Sequence, residues 1–351
     1  MKRFEHGGNI YEDNGNWLDF SANINPLGLT DNIRRAIGEN IENVVHYPDP
    51  KNRELVEAVS NAYDISEESV ILGNGASELI YLFFSVMRFQ KVLIIAPSYG
   101  DYERAAISAG AKVEFFYLKP GENFDIDWRK LEDMSKNFDC MVLASPNNPT
   151  GNLIKAEKIE KFMERTLGGP FIFMDESFMD FAEDKEGYET LKIAACSPRL
   201  ITVRSLTKFY ALPGLRLGFG VTGKNLLAKL NAAKDVWNVN LLAAKAGAAA
   251  LWDEEYKRNS LSCLKSEREF MKEKLRELGI KFFEPTVNFI LLEFENEEVS
   301  AKIREGLKNR NILVRNCENF MTLDSRYIRI AIKNRWDNEK LVESMREILN
   351  D

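Results

Sequence analysis

Residues 200–221 read LITVRSLTKFYALPGLRLGFGV. Two apolar, β-rich runs, 200–205 and 217–221, flank a polar and turn-forming stretch that holds Lys208 and, eight positions on, Arg216. Runs of the same kind recur upstream as VLIIA (92–96), VEFFY (113–117), CMVLA (140–144) and FIFMD (171–175), with helical patterns between them from about residue 70. Strands that are apolar throughout and alternate with helices predict an α/β fold, a mainly parallel sheet covered by helices on both faces. Ligands of such sheets bind beyond the carboxyl ends of the strands. Polar clusters stand at those ends here: SPNNPTG after Ala144, DES at Asp175 and SLTK after Val203.

Further along, the pattern changes. After Asn240 a long amphipathic stretch leads out of the large domain. Candidate strands at NFILLEF, ILVRN and YIRIAI, with helices around 299–308 and 338–349, predict a smaller α+β domain. The expected division is an N-terminal segment packing with the small domain (1–44), a large cofactor-binding domain (45–245) and a small domain (246–351).

Composition excludes several classes of function. Acidic and basic residues are mixed along all 351 residues and sum to a net charge of −7, which argues against duplex nucleic acid as a partner. The opening MKRFEHGGNIYEDNGNW lacks a secretory apolar core and no run is long enough to span a bilayer, so a cytoplasmic protein is expected. Cys140, Cys196, Cys263 and Cys317 have neither paired nor zinc-finger spacing and read as reduced thiols. With only His6 and His46 present, no histidine-rich metal site can form, and the chemistry must come from elsewhere, a cofactor above all.

The stretch 204–219, RSLTKFYALPGLRLGF, resembles the lysine segment of fold-type I pyridoxal-phosphate enzymes, in the branch that holds histidinol-phosphate aminotransferases and threonine-phosphate decarboxylases. The resemblance makes Lys208 the lysine that holds pyridoxal 5'-phosphate as a Schiff base. Such an amine must be neutral to attack an aldehyde, and a partly dry pocket with nearby cations lowers its pKa. By the same resemblance Ser205, Thr207 and Arg216 take the cofactor phosphate, a guanidinium fork and hydroxyls suiting a dianion. GNGASE (73–78) resembles the phosphate-cradling turn, in which Gly75 lets the backbone approach while Ala76 and Ser77 offer N–H groups at a helix start. Asp175 matches the aspartate that keeps the pyridine nitrogen protonated, so that the ring can accept electrons. Asn148 matches the residue on the phenolic oxygen, and Tyr99 the aromatic stacked on the ring. These residues occur in the family's order and at its spacings. Tyr47 in HYPDP resembles the tyrosine that reaches the neighbouring subunit's cofactor phosphate, which implies a homodimer.

The N-terminus discriminates within the branch. HGGNIYE (6–12) followed by LDFSANINPLG (18–28) is similar to the threonine-phosphate decarboxylase pattern of cobamide synthesis, whereas the aminotransferases open with a phrase nearer NENPYG. Phe178 also stands where the aminotransferases carry a tyrosine for the phenolic oxygen. The resemblance makes His6, Gly7, Asn25, Asn148, Arg315 and Arg329 the substrate-binding residues, with the two arginines gripping anions. Orientation selects the reaction in this chemistry, because only a bond held perpendicular to the conjugated ring can release its electrons into it. Phosphate and carboxylate anchors that turn the Cα–carboxylate bond out of plane therefore imply decarboxylation of threonine phosphate, or of serine phosphate. An aminotransferase using the same lysine is the competing reading. A non-catalytic cofactor sensor would need a DNA-binding module, and 6–28 leaves no room for one before Gly73.

Overall fold

The computed structural model describes residues 6–11 and 16–350; residues 1–5, 12–15 and 351, which belong to the expected outer segments 1–44 and 246–351, lie outside it. Its strands in chain order are β1 (Leu18–Asp19), β2 (Val70–Gly73), β3 (Lys91–Ala96), β4 (Lys112–Tyr117), β5 (Cys140–Ala144), β6 (Phe171–Asp175), β7 (Leu200–Ser205), β8 (Gly218–Thr222), β9 (Lys281–Phe282), β10 (Phe289–Glu293), β11 (Ile312–Leu313), β12 (Arg315–Asn316) and β13 (Tyr327–Ala331).

A seven-stranded sheet in the order β2-β8-β7-β6-β5-β3-β4 forms the centre. Its pairings are parallel except those of β8, which runs antiparallel to both β2 and β7. The exception has a local cause. Residues 206–217 hold one helical turn, Leu206–Phe209, and a loop, too little chain for a covering crossover helix, so β8 returns beside β7. Apolar clusters pack against both faces, one around Phe83, Phe84 and Phe173, the other around Met141, Ile172 and Phe219. Strand β4 departs from the all-buried expectation: as the sheet edge it buries only Phe116 fully.

A four-stranded antiparallel sheet, β12-β13-β10-β9, makes the second, smaller layer. The predicted strand ILVRN is in fact two: β11 pairs in parallel with β1, and β12 pairs with β13. The stretch after Asn240 likewise divides into helices Leu241–Leu251 and Glu254–Glu277, because Asp253 accepts a hydrogen bond from Tyr256 N and starts a new helix. Among the described residues no helix is long and apolar enough to cross a membrane.

Candidate active site

The carboxyl ends of the parallel strands open onto a cavity of about 290 Å³. Each wall is delivered by a strand end or a helix start. Tyr99 follows β3, Asn148 follows β5, Asp175 ends β6, and Ser205, Thr207 and Lys208 leave β7. Ala76 and Ser77 open the helix Ala76–Met87. Arg216 comes from the loop before β8, and Arg329 reaches in from β13 of the small sheet.

At one pole the donors converge. The helix Ala76–Met87 starts at Gly75 without a side-chain cap, which leaves its first N–H groups for an anion. Gly75 has φ +79°, and a Cβ there would lie 2.5 Å from Arg216 Nη2, so only glycine admits the guanidinium. Ser205 Oγ and Thr207 Oγ1 stand 2.6 Å apart. Asp175 is buried elsewhere on the wall and accepts from Tyr102 OH at 2.6 Å and from Ser177 N at 2.8 Å. Burial raises its carboxyl pKa, against the hydrogen bonds from Ser177 and Tyr102 and the charge of Lys208.

Lys208 titrates far below an ordinary lysine. Burial, helped by the positive charges of Arg216 and Arg329 and opposed by Asp175, holds it down to about 8. Arg329 is pulled down to about 10, first by burial. Its Nη1 donates to Asn148 Oδ1 and its Nη2 to Ser21 O, each at 2.5 Å. That leaves the Asn148 amide nitrogen as the donor still available to a ligand. Phe178 lines the cavity and packs edge-on against Phe289, centroids 5.1 Å apart, offering no hydroxyl.

Most of the residues singled out from sequence meet here, His6 and Gly7 included; Gly75 stands just behind the wall against Arg216, and Asn25, Arg315 and Tyr47 do not line this cavity. Asn25 is a correction. Its amide nitrogen donates to Phe209 O and Ser260 Oγ, and its Oδ1 accepts from Leu27 N, so it shapes the turn that carries the chain away. Asn23, two residues earlier, does line the cavity: it is buried, and its acceptor Oδ1 has no hydrogen-bond partner among the described residues. Arg315 lies directly across from Arg329 in the β12–β13 register, but its Nη2 donates to Asn319 Oδ1 and its guanidinium covers Phe320. Tyr47 is 78 % exposed and stacks on Trp237 at 4.4 Å, outside its own chain's cavity. Sequence reading missed Ser21, Asn23, Tyr102 and Ser177. Ser21 and Asn23 belong to LDFSANINPLG, Ser177 to DES, and Tyr102 follows Tyr99 by three positions; only side-chain direction separates them from their neighbours.

The model of the family Aminotransferase class I and II matches residues 15–345. The chain belongs to that family. Among relatives of this aminotransferase-family chain, the threonine-phosphate decarboxylase of Salmonella typhimurium is 32% identical, over 98% of this chain and 96% of the relative. The adenosylcobalamin biosynthesis bifunctional protein CobDQ of Leptospira interrogans is 33% identical over 98% of this chain, an alignment spanning 41% of that longer protein. A solved structure of the histidinol-phosphate aminotransferase from Clostridium acetobutylicum superposes with a TM-score of 0.87 at 35% identity, covering 94% of this chain and 98% of that one.

The residues present fit pyridoxal phosphate. A phosphate finds an uncapped helix start, two hydroxyls and a guanidinium; a basic ring nitrogen finds a buried carboxylate; an aldehyde finds a lysine whose pKa is depressed.

Proposed function

We propose that this protein decarboxylates L-threonine O-3-phosphate, with pyridoxal 5'-phosphate as cofactor, to (R)-1-amino-2-propanol O-2-phosphate and CO2 in cobamide synthesis. The observation that carries the reading is a second anion-binding group in the cavity. Beyond the Ser205, Thr207 and Arg216 group, the wall holds Arg329, whose Nε has no partner among the described residues, together with His6. A substrate with both a carboxylate and a phosphate uses such a group fully. The 32% identity to the Salmonella threonine-phosphate decarboxylase supports it.

When bound, the cofactor supplies a ring that takes up the electron pair left as a bond to Cα breaks. The chain's own residues do the rest. Ser205, Thr207, Arg216 and the N–H groups of Ala76 and Ser77 bind the cofactor phosphate, and Asp175 holds a proton at the ring nitrogen. Lys208 attaches the cofactor as a free amine and later, as an ammonium, returns a proton to Cα. Arg329 and His6 bind the substrate anions and would orient the Cα–carboxylate bond for cleavage. Binding energy from the substrate phosphate, remote from the reacting bond, offsets the strain of that pose. Asn25 holds the turn by its bonds to Phe209 O and Ser260 Oγ, and Arg315 acts through its neighbour Arg329.

Incubation of the holoprotein with threonine phosphate is expected to release CO2 and the amino alcohol phosphate in equal amounts. Formation of a 2-oxo acid without CO2 would overturn the reading in favour of an aminotransferase, the activity carried by the similarly folded Clostridium enzyme. Serine phosphate belongs in the same assay, since one methyl group alters discrimination by only about 1–3 kcal/mol.

We also infer a homodimer in which Tyr47 serves the neighbouring site. Tyr47, Val44 and Val45, with Val236 and Trp237, are large apolar side chains left exposed, and the Tyr47–Trp237 stack holds the tyrosine ring outward. The mass in solution is expected to be twice the chain mass, and Tyr47→Ala to weaken cofactor retention. A monomer that keeps its cofactor would rule this out.

A further inference from the structure

The short segment of residues 6–8, whose His6 and Gly7 line the cavity, is held at two points. Gly8 N donates to Ser21 Oγ at 2.7 Å. Gly7 packs so closely on residue 21 that an added Cβ would stand 2.2 Å from Ser21 O, the same oxygen that accepts from Arg329 Nη2. The second point is Asp101. Its Oδ1 faces His6 Nε2 at 3.4 Å, and its Oδ2 accepts from Tyr99 OH at 2.7 Å. The His6 and Tyr99 rings lie 5.2 Å apart.

Asp101 is 8% exposed, opens the helix Asp101–Ser108, and is absent from the cavity wall itself. Its two oxygens thus join a wall aromatic to a segment that has no secondary structure of its own. Burial pushes its carboxyl upward, but the nearby His6, the hydrogen bond from Tyr99 and the charge of Arg104 outweigh this and hold it below the usual range. It is a carboxylate at neutral pH, as a clamp on an imidazole requires. Two successive glycines make the free segment costly to order, so a second anchor has a large effect on how often it is seated.

We propose that Asp101 is a positioning residue that clamps His6 against Tyr99, so that residues 6–8 close the substrate end of the cavity and the His6 ring stands at a fixed place on its wall. The proposal rests on the reading that a phosphorylated amino acid occupies this cavity. It adds a residue that touches neither cofactor nor substrate but decides where a substrate-binding group stands.

Asp101→Asn keeps the shape and the hydrogen bond from Tyr99 while removing the charge that holds His6. In the holoprotein, hydrogen exchange at the Gly8 amide is expected to accelerate about tenfold, and KM for threonine phosphate to rise about tenfold, far more than kcat falls. His6→Ala, at a side chain that is 43% exposed, provides a second folded variant. Adding Asp101→Asn to His6→Ala is expected to raise KM no further. Unchanged exchange in Asp101→Asn, or losses that add in the double variant, overturn the clamp. The exchange measurement needs no turnover, so it decides the clamp even if threonine phosphate is not the substrate.

Discussion

Lys208→Ala is expected to lower turnover by roughly 10⁴-fold, the upper end for loss of a positioned proton-transfer group. Borohydride treatment of the wild-type holoprotein should add the reduced cofactor mass to the peptide carrying Lys208, and should add nothing to the variant. The physical reason is the depressed pKa of about 8, set first by burial and then by Arg216 and Arg329. Only the free amine attacks an aldehyde. Below about pH 8 Lys208 is mostly an ammonium, so the rate at which the apoprotein takes up cofactor should rise about tenfold per pH unit and level off above that value. A uptake rate that stays flat between pH 6 and 8, followed by the change in absorbance, would remove Lys208 from the attaching role. So would a variant that still turns over at the wild-type rate.

Asp175→Asn should cost about 10²–10³-fold in kcat, the size of effect seen when a preorganised electrostatic group is removed from a reacting site. The substitution is nearly isosteric. An asparagine oxygen can still accept from Tyr102 OH or Ser177 N, so the fold and the cavity persist while the charge disappears. Without the charge nothing holds a proton on the ring nitrogen, and the ring loses its capacity to accept electrons. Tyr102→Phe is the matched control: it removes one hydrogen bond, leaves the carboxylate, and should cost about tenfold or less. The steady-state comparison of the two variants decides it. An Asp175→Asn enzyme as active as the control would mean that the ring nitrogen is served by some other group.

Several elements were legible because their determinants are local. The apolar runs that became β3, β5, β6 and β7 each carry their own period and their own polar exit, and the residues at those exits face one cavity. The helix break at Trp252–Asp253 was also written locally, as an aspartate able to cap, but the amphipathic pattern on both sides concealed it. The antiparallel β8, and the division of ILVRN between β1 and β13, depend on which partner edge is free. No window of sequence reports that.

The two asparagines of ANINP separate the levels most clearly. Both are buried and two residues apart, and chain composition treats them alike. Asn25 is consumed by Phe209 O and by Ser260 Oγ, 184 and 235 positions away, while Asn23 keeps an unsatisfied oxygen on the cavity wall. The sequence by itself determined the α/β class and the polar strand ends, because periodicity and polar punctuation act over a few residues, and its resemblance to a known family marked the lysine, aspartate and arginine that meet there. Which asparagine faces the cavity, which arginine enters it, and what stands against His6 were decided only by the tertiary structure, because a buried polar group takes its direction from partners that distant parts of the chain bring to it.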